Sequence, residues 1–79
     1  MRIVYSRTSV NYLKKLNKEL QRRLIESIEK LPDYGDIKKL KGKRVKNMYR
    51  LRVGKYRVIF VLEKEEIKIV DINTRGDIY

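Results

Sequence analysis

The sequence predicts an α+β fold: an N-terminal strand and a two-helix hairpin packed on a small antiparallel sheet. Three observations predict it. A short run of β-formers, Arg2-Ile-Val-Tyr5, opens the chain. Apolar residues then recur at helical spacing from Val10 to Leu31. Two alternating runs follow and meet at Gly54-Lys55, with a further apolar run over 67–73. A chain of 79 residues is expected to form one domain, residues 1–79. A domain of this size buries only a little over ~60% of its unfolded surface, so its stability is expected to be marginal without a partner.

Ser6, Thr8 and Ser9 offer N-caps directly after the first strand. The apolar positions Val10, Leu13, Leu16, Leu20, Leu24, Ile28 and Leu31 then step by three or four. Asn17 interrupts this stripe and is a cap for a second helix, so the spacing predicts two antiparallel helices, about 8–16 and 18–31. Lys14, Lys15, Lys18, Arg22, Arg23 and Lys30 fall mostly on the outward face, as a solvated helix surface requires. Pro32 ends the second helix, and Asp33-Tyr-Gly-Asp36 reads as a loop. In the basic stretch 37–47, Leu40 is expected to anchor to the core and Gly42 to make a turn. Lys41, Lys43, Arg44 and Lys46 then form a loop whose natural use is sequence-independent phosphate contact.

Tyr49-Arg-Leu-Arg-Val-Gly-Lys-Tyr-Arg-Val-Ile-Phe60 is a β-hairpin with Gly where a primed two-residue turn wants positive φ. Its register sets Val53 opposite Tyr56, Arg52 opposite Arg57, Leu51 opposite Val58 and Tyr49 opposite Phe60. Alternation puts these apolar residues on one face and Arg50, Arg52 and Arg57 on the other. Like charges directly opposed across a ladder are unfavourable, so Arg52 facing Arg57 points to an anionic ligand.

Glu63-Lys-Glu-Glu66 is an exposed turn, and residues 67–73 form a further strand. Pairing Leu62 with Ile67 places Val70 and Ile72 on the arginine face and turns Asp71 toward the helices. A carboxylate does not sit there at ease: either a bulge shifts the register or Asp71 finds a basic partner. Arg75 and Tyr79, four apart just beyond this strand, can reach the arginine cluster. Ending on a tyrosine with no polar tail is unusual and points to further residues beyond it. The Arg75-Gly-Asp77 tripeptide is read as a chance match.

Composition narrows the function. Lys and Arg number 21 against 10 Asp and Glu, a formal charge of +11, which favours a polyanionic partner. The chain has neither cysteine nor histidine, so disulfides, thiolate sites and the commonest metal ligand and general base are missing; no metal and no cofactor are expected. No apolar run approaches a membrane span and the first residues do not form a signal peptide, so a soluble, cytoplasmic protein without membrane contact is expected.

The strand and helical hairpin, Leu40-Lys41-Gly42, the 49–60 hairpin and the closing Arg75-Gly-Asp-Ile-Tyr79 together resemble the RelE/ParE superfamily of bacterial and archaeal toxins, over essentially the whole chain. The hairpin with Arg-x-x-x-Tyr carries the resemblance; the helices alone are weak. It implies a RelE-like fold similar to microbial ribonucleases and an endonuclease that cuts mRNA in the ribosomal A site. It also implies a cognate acidic antitoxin, encoded beside the toxin, that wraps and blocks it in a hetero-oligomer. The basic positions of the two hairpin strands correspond to Arg50, Arg52 and Arg57, the late arginine to Arg75, and the C-terminal aromatic to Tyr79. RelE itself has lysines at the first two and a wider spacing between the last two.

Metal-free cleavage of RNA by its own 2′-hydroxyl needs a base, an acid for the leaving oxygen and positive charge on the phosphorane. Arginine meets the last need, since its fork matches phosphate oxygens, but it keeps its proton and accepts no hydrogen bond. The base is therefore open: Tyr79 as a phenolate is one candidate, although stacking on an RNA base suits it better. Arg75 would stabilise the transition state or act as the acid. Orientation of the mRNA by the ribosome is the other route to rate. Two further readings remain: a ParE-type poison of DNA gyrase without a nuclease site, and a non-catalytic module that only grips phosphate.

Overall fold

A computed structural model describes residues 1–41 and 46–74. Its elements run β1 (Arg2–Tyr5), α1 (Arg7–Lys14), α2 (Lys18–Glu29), β2 (Asp36–Lys39), β3 (Met48–Val53), β4 (Tyr56–Leu62) and β5 (Glu66–Thr74). The strands form one five-stranded sheet in the order β1-β5-β4-β3-β2. This is the expected α+β fold, with one refinement: the sheet is mixed, because β1 joins β5 in parallel, Ile3 beside Ile67 and Tyr5 beside Ile69.

Both helices start where side-chain oxygens can take an orphan N–H. Ser6 Oγ accepts from the Ser9 amide at 3.1 Å, and Asn17 Oδ1 from the Leu20 amide at 2.9 Å. The second cap separates the helices as the interrupted stripe predicts. Their inward residues Leu13, Leu24 and Ile28, with Leu31 just beyond α2, pack on Leu51, Tyr56, Val58, Phe60, Ile67, Ile69 and Ile72 of the sheet. Tyr49 stacks on Phe60 with ring centroids 5.5 Å apart. At the edge of this layer, burial and then the Glu29 carboxylate push the Tyr5 hydroxyl above its ordinary value. No helix among the described residues is long and apolar enough to cross a membrane.

The hairpin has the expected register: Val53 with Tyr56, Arg52 with Arg57, Leu51 with Val58 and Tyr49 with Phe60. Gly54 has φ +58°, so the turn starts in the region that a side chain disfavours. Both helices lie against the apolar face, which leaves the arginine face of the sheet without a helix among the described residues.

Two expectations need correction. Asp36, expected as the end of a loop, instead opens the edge strand β2, which continues through residues 37–39 where no element was expected and pairs antiparallel with β3 from Asp36–Arg52 to Lys39–Tyr49. Its four residues contain one apolar side chain, Ile37, too little alternation to reveal a strand in the sequence. Gly35 makes the entry possible: it has φ +124°, and a Cβ there would meet Leu51 Cδ1 at 2.5 Å.

The second correction concerns β5. Leu62 does pair with Ile67, but the register shifts beyond Phe60–Ile69, and the next pair is Ile59–Asp71. Val70 is the extra residue of a β-bulge. Ile72 therefore turns into the core at 1% exposure, and Asp71 turns out onto the arginine face. Of the two alternatives for Asp71, the bulge is the one realised.

Candidate nucleic-acid interface

Cross-strand pairing turns the outer face of the sheet into rows. One row runs Asp36, Arg52, Arg57, Asn73 across β2, β3, β4 and β5; the next runs Lys38, Arg50, Ile59, Asp71. Arg50, Arg52 and Arg57 are thus brought together on one face. Lys38 joins them from the strand that sequence reasoning missed, and its pairing with Arg50 adds a fourth cation.

The arginines are not bare. Arg52 Nε donates to Asp36 Oδ2 at 3.0 Å, and Arg50 Nη1 lies 3.6 Å from Oδ1 of the same carboxylate. Arg50 Nη1 also donates to the Asp36 carbonyl at 3.3 Å. Asp36 thereby holds two guanidinium groups in place from the sheet edge. Arg50 has a side chain only 12% exposed, against 36% for Arg52, so Arg52 is the more open to a ligand. Arg57 is half-buried between them and Asn73.

On the other flank, Asn73 Nδ2 donates to Asp71 Oδ2 at 3.0 Å. The Asn73 side-chain oxygen is buried with no hydrogen-bond partner among the described residues. Neither Asp71 nor Asn73 was singled out as functional in the sequence. The awkward inward placement of Asp71 under straight pairing was the signal available.

The bulge itself is fixed from the helical side. Ser6 Oγ donates to the Val70 carbonyl at 2.8 Å, the Ser6 amide donates to the Ile69 carbonyl at 2.9 Å, and the fully buried Ser9 hydroxyl lies 3.3 Å from that same carbonyl. The carbonyls that a bulge withdraws from the ladder are satisfied by the N-cap of α1.

Of the basic loop, Lys41 and Lys46 are exposed at its two ends. Lys43 and Arg44 lie outside the described residues, as do Arg75 and Tyr79. The acidic side chains Glu63 and Glu66 gather around the β4–β5 turn, where they pair with Lys68 and Arg2. Much of the negative charge therefore sits away from the Arg52–Arg57 end of the sheet.

The comparisons with known proteins agree with this architecture. The model of the family described as "ParE toxin of type II toxin-antitoxin system, parDE" matches residues 3–79. The chain belongs to this toxin family. It is accordingly a RelE/ParE superfamily toxin of a toxin–antitoxin system. Among solved structures it is similar to a chain of the RelE–RelB complex from Pyrococcus horikoshii OT3, at 32% identity and a TM-score of 0.78, covering 96% of both chains. It is similar as well to a chain of the RelB–RelE antitoxin–toxin complex from Methanococcus jannaschii, at 30% identity, TM-score 0.76, covering 96% of this chain and 94% of that one. The isolated Escherichia coli RelE toxin shares the fold at 18% identity, TM-score 0.65, over 99% of this chain and 89% of that one. No curated protein matches the chain.

Proposed function

We propose that this toxin is a ribosome-dependent, metal-independent mRNA endonuclease that arrests translation in the cytoplasm. The observation that carries the reading is Arg52 facing Arg57 across β3–β4, with Arg50 and Lys38 beside them. Folding alone gains nothing from opposed cations. A phosphodiester, with oxygens for more than one guanidinium fork, removes the repulsion and uses the convergence. Arg52 and Arg57 hold the scissile phosphate; Arg50, largely buried, supports them from behind. Arg75 serves the transition state and Tyr79 aligns a base, both from the C-terminal segment. Lys41, Lys43, Arg44 and Lys46 add affinity along the backbone of the RNA.

The partner follows from the same charge. A protein with a net charge of +11 suits an acidic antitoxin segment, and the similar archaeal structures are complexes of RelE with RelB. Binding only the folded toxin would raise its stability by mass action. Co-expression with an acidic neighbouring reading frame should cure aggregation of the isolated chain.

A second reading has a specific observation in its favour. The matching family is named for ParE, and a ParE-type toxin would poison DNA gyrase and leave mRNA whole. Induction in growing cells separates the two. Primer extension should find cuts within translated mRNA, without double-strand breaks in DNA. Breaks with intact mRNA would replace the nuclease reading by the gyrase one.

A further inference from the structure

We infer that the cleft between the C-terminal half of α2 and the end of β3 seats the RNA base next to the scissile phosphate, stacked on Tyr34. This deepens the nuclease reading above and rests on it for the phosphate that sets the register.

An exposed tyrosine is ordinary by itself; the setting of this one is not. Tyr34 is 70% exposed, on the turn that leads from α2 into β2. Its backbone is fixed from both sides. The Asp33 and Tyr34 amides donate to the Lys30 carbonyl at 3.1 and 3.2 Å. Gly35, next in the chain, lies so close to Leu51 that no Cβ fits between them. The ring is thus a large flat surface on a fixed turn, and a tyrosine has few torsions to order when a ligand arrives.

Beside the ring is a cavity of about 210 Å³, lined among others by Ser27, Lys30, Leu51, Arg52 and Val53. Val53 also borders a second cavity of about 390 Å³ toward the hairpin turn, where Arg23 and Lys55 form part of the wall. Arg23, Ser27 and Lys30 are spaced four and three apart on α2, so one stripe of the helix overlooks both cavities. Arg23 Nη2 reaches over the turn, 3.8 Å from where a Cβ on Gly54 would stand. Lys55 Nζ lies 5.7 Å from the Tyr56 ring centroid.

The charges along this path have one sign. Arg23, Lys30, Arg52 and Lys55 line it, and no carboxylate among the described residues does. The acids flanking the turn in sequence are Asp33, exposed to solvent, and Asp36, already held by Arg50 and Arg52.

Arg52 decides the occupant. It stands both in the arginine row and in the cleft lining, so the phosphate site opens directly into the cleft. Single-stranded RNA supplies what the two parts ask for: a planar base for Tyr34 and a phosphate for Lys30. An acidic peptide with apolar side chains would match the charges and the apolar floor. It would leave the exposed ring and the link to the arginine row without a use. Tyr34 is therefore a binding residue that selects the neighbouring base; it takes no part in proton transfer.

Ribosomes programmed with mRNA whose A-site codon is 2′-O-methylated hold the strand uncut. The fluorescent base 2-aminopurine, placed in turn at each position in and beside that codon, then reports stacking by loss of emission. Wild-type toxin should quench the probe at one position. Tyr34→Ala should lose that quench and Tyr34→Phe should keep it. On unmodified mRNA, Tyr34→Ala should raise KM about tenfold with kcat nearly unchanged, and more for a purine than for a pyrimidine at the quenched position. Lys30→Ala should lower the slope of log affinity against log salt by about 1. Both side chains are exposed, so these variants should keep the wild-type circular dichroism.

The same quench in Tyr34→Ala, or no quench by wild type, overturns the inference and leaves the nuclease reading to the cleavage assay. Amide shifts at Lys30 and Tyr34 that move with a Leu-Glu peptide and not with the mRNA segment assign the cleft to a protein and overturn it as well. Wild type that quenches the probe but leaves unmodified mRNA whole removes the nuclease reading and keeps the cleft as an RNA site.

Discussion

Arg52 and Arg57 face each other across the β3–β4 ladder, and Arg52 is also held by Asp36 at 3.0 Å. One contact disfavours the fold and the other favours it, both at a half-open surface where exposed ion pairs are worth about 0–1 kcal/mol. Arg52→Ala should therefore change stability by no more than about 0.5 kcal/mol in urea unfolding. Affinity for single-stranded RNA should fall, and the slope of log affinity against log salt should drop by about 1. An unchanged slope would remove Arg52 from the phosphate contacts.

The core is more demanding. Phe60 is 1% exposed and stacks on Tyr49, so Phe60→Ala should cost about 3–5 kcal/mol. Total stabilities of about 5–15 kcal/mol are usual, and a 79-residue chain belongs near the lower end. Circular dichroism of this variant should show a largely unfolded chain at 37 °C, refolded when antitoxin is added.

Much of this was legible in the sequence because the side-chain period of a strand is two. Gly54-Lys55 fixed the turn, and alternation then assigned both faces of the hairpin without ambiguity. Asn17 likewise divided the helices correctly. What escaped were features set by tertiary partners. β2 has one inward apolar residue and exists through its ladder to β3. The bulge at Val70 depends on Ser6 and Ser9, more than 60 residues away, to satisfy its carbonyls. Asp36, Lys38 and Asn73 entered the candidate site only through those two elements.

Ser6 makes two separate contributions, as the cap of α1 and as the donor to the Val70 carbonyl. Ser6→Ala should accordingly destabilise by about 1–2 kcal/mol. Hydrogen exchange should increase both in the first turn of α1 and around residues 69–72. Exchange confined to the helix would mean that the bulge stands without the serine.

Tyr5 sets an alkaline limit. Its folded proton is held above the ordinary pKa of 10.0 by burial and then by Glu29, so the unfolded chain ionises first. The contribution is complete below pH 10.0 and is lost as pH rises from there through the folded value. Thermal melts from about pH 8 to about pH 11 should show a shallower alkaline decline for Tyr5→Phe than for wild type. Parallel declines would contradict the assignment.

The most direct test of the account is cleavage of A-site mRNA by purified toxin on programmed ribosomes, comparing wild type with Arg57→Ala. Wild type should cut within the A-site codon, and folded Arg57→Ala should lose that cleavage. Equal cutting by both, or none by wild type, would contradict it.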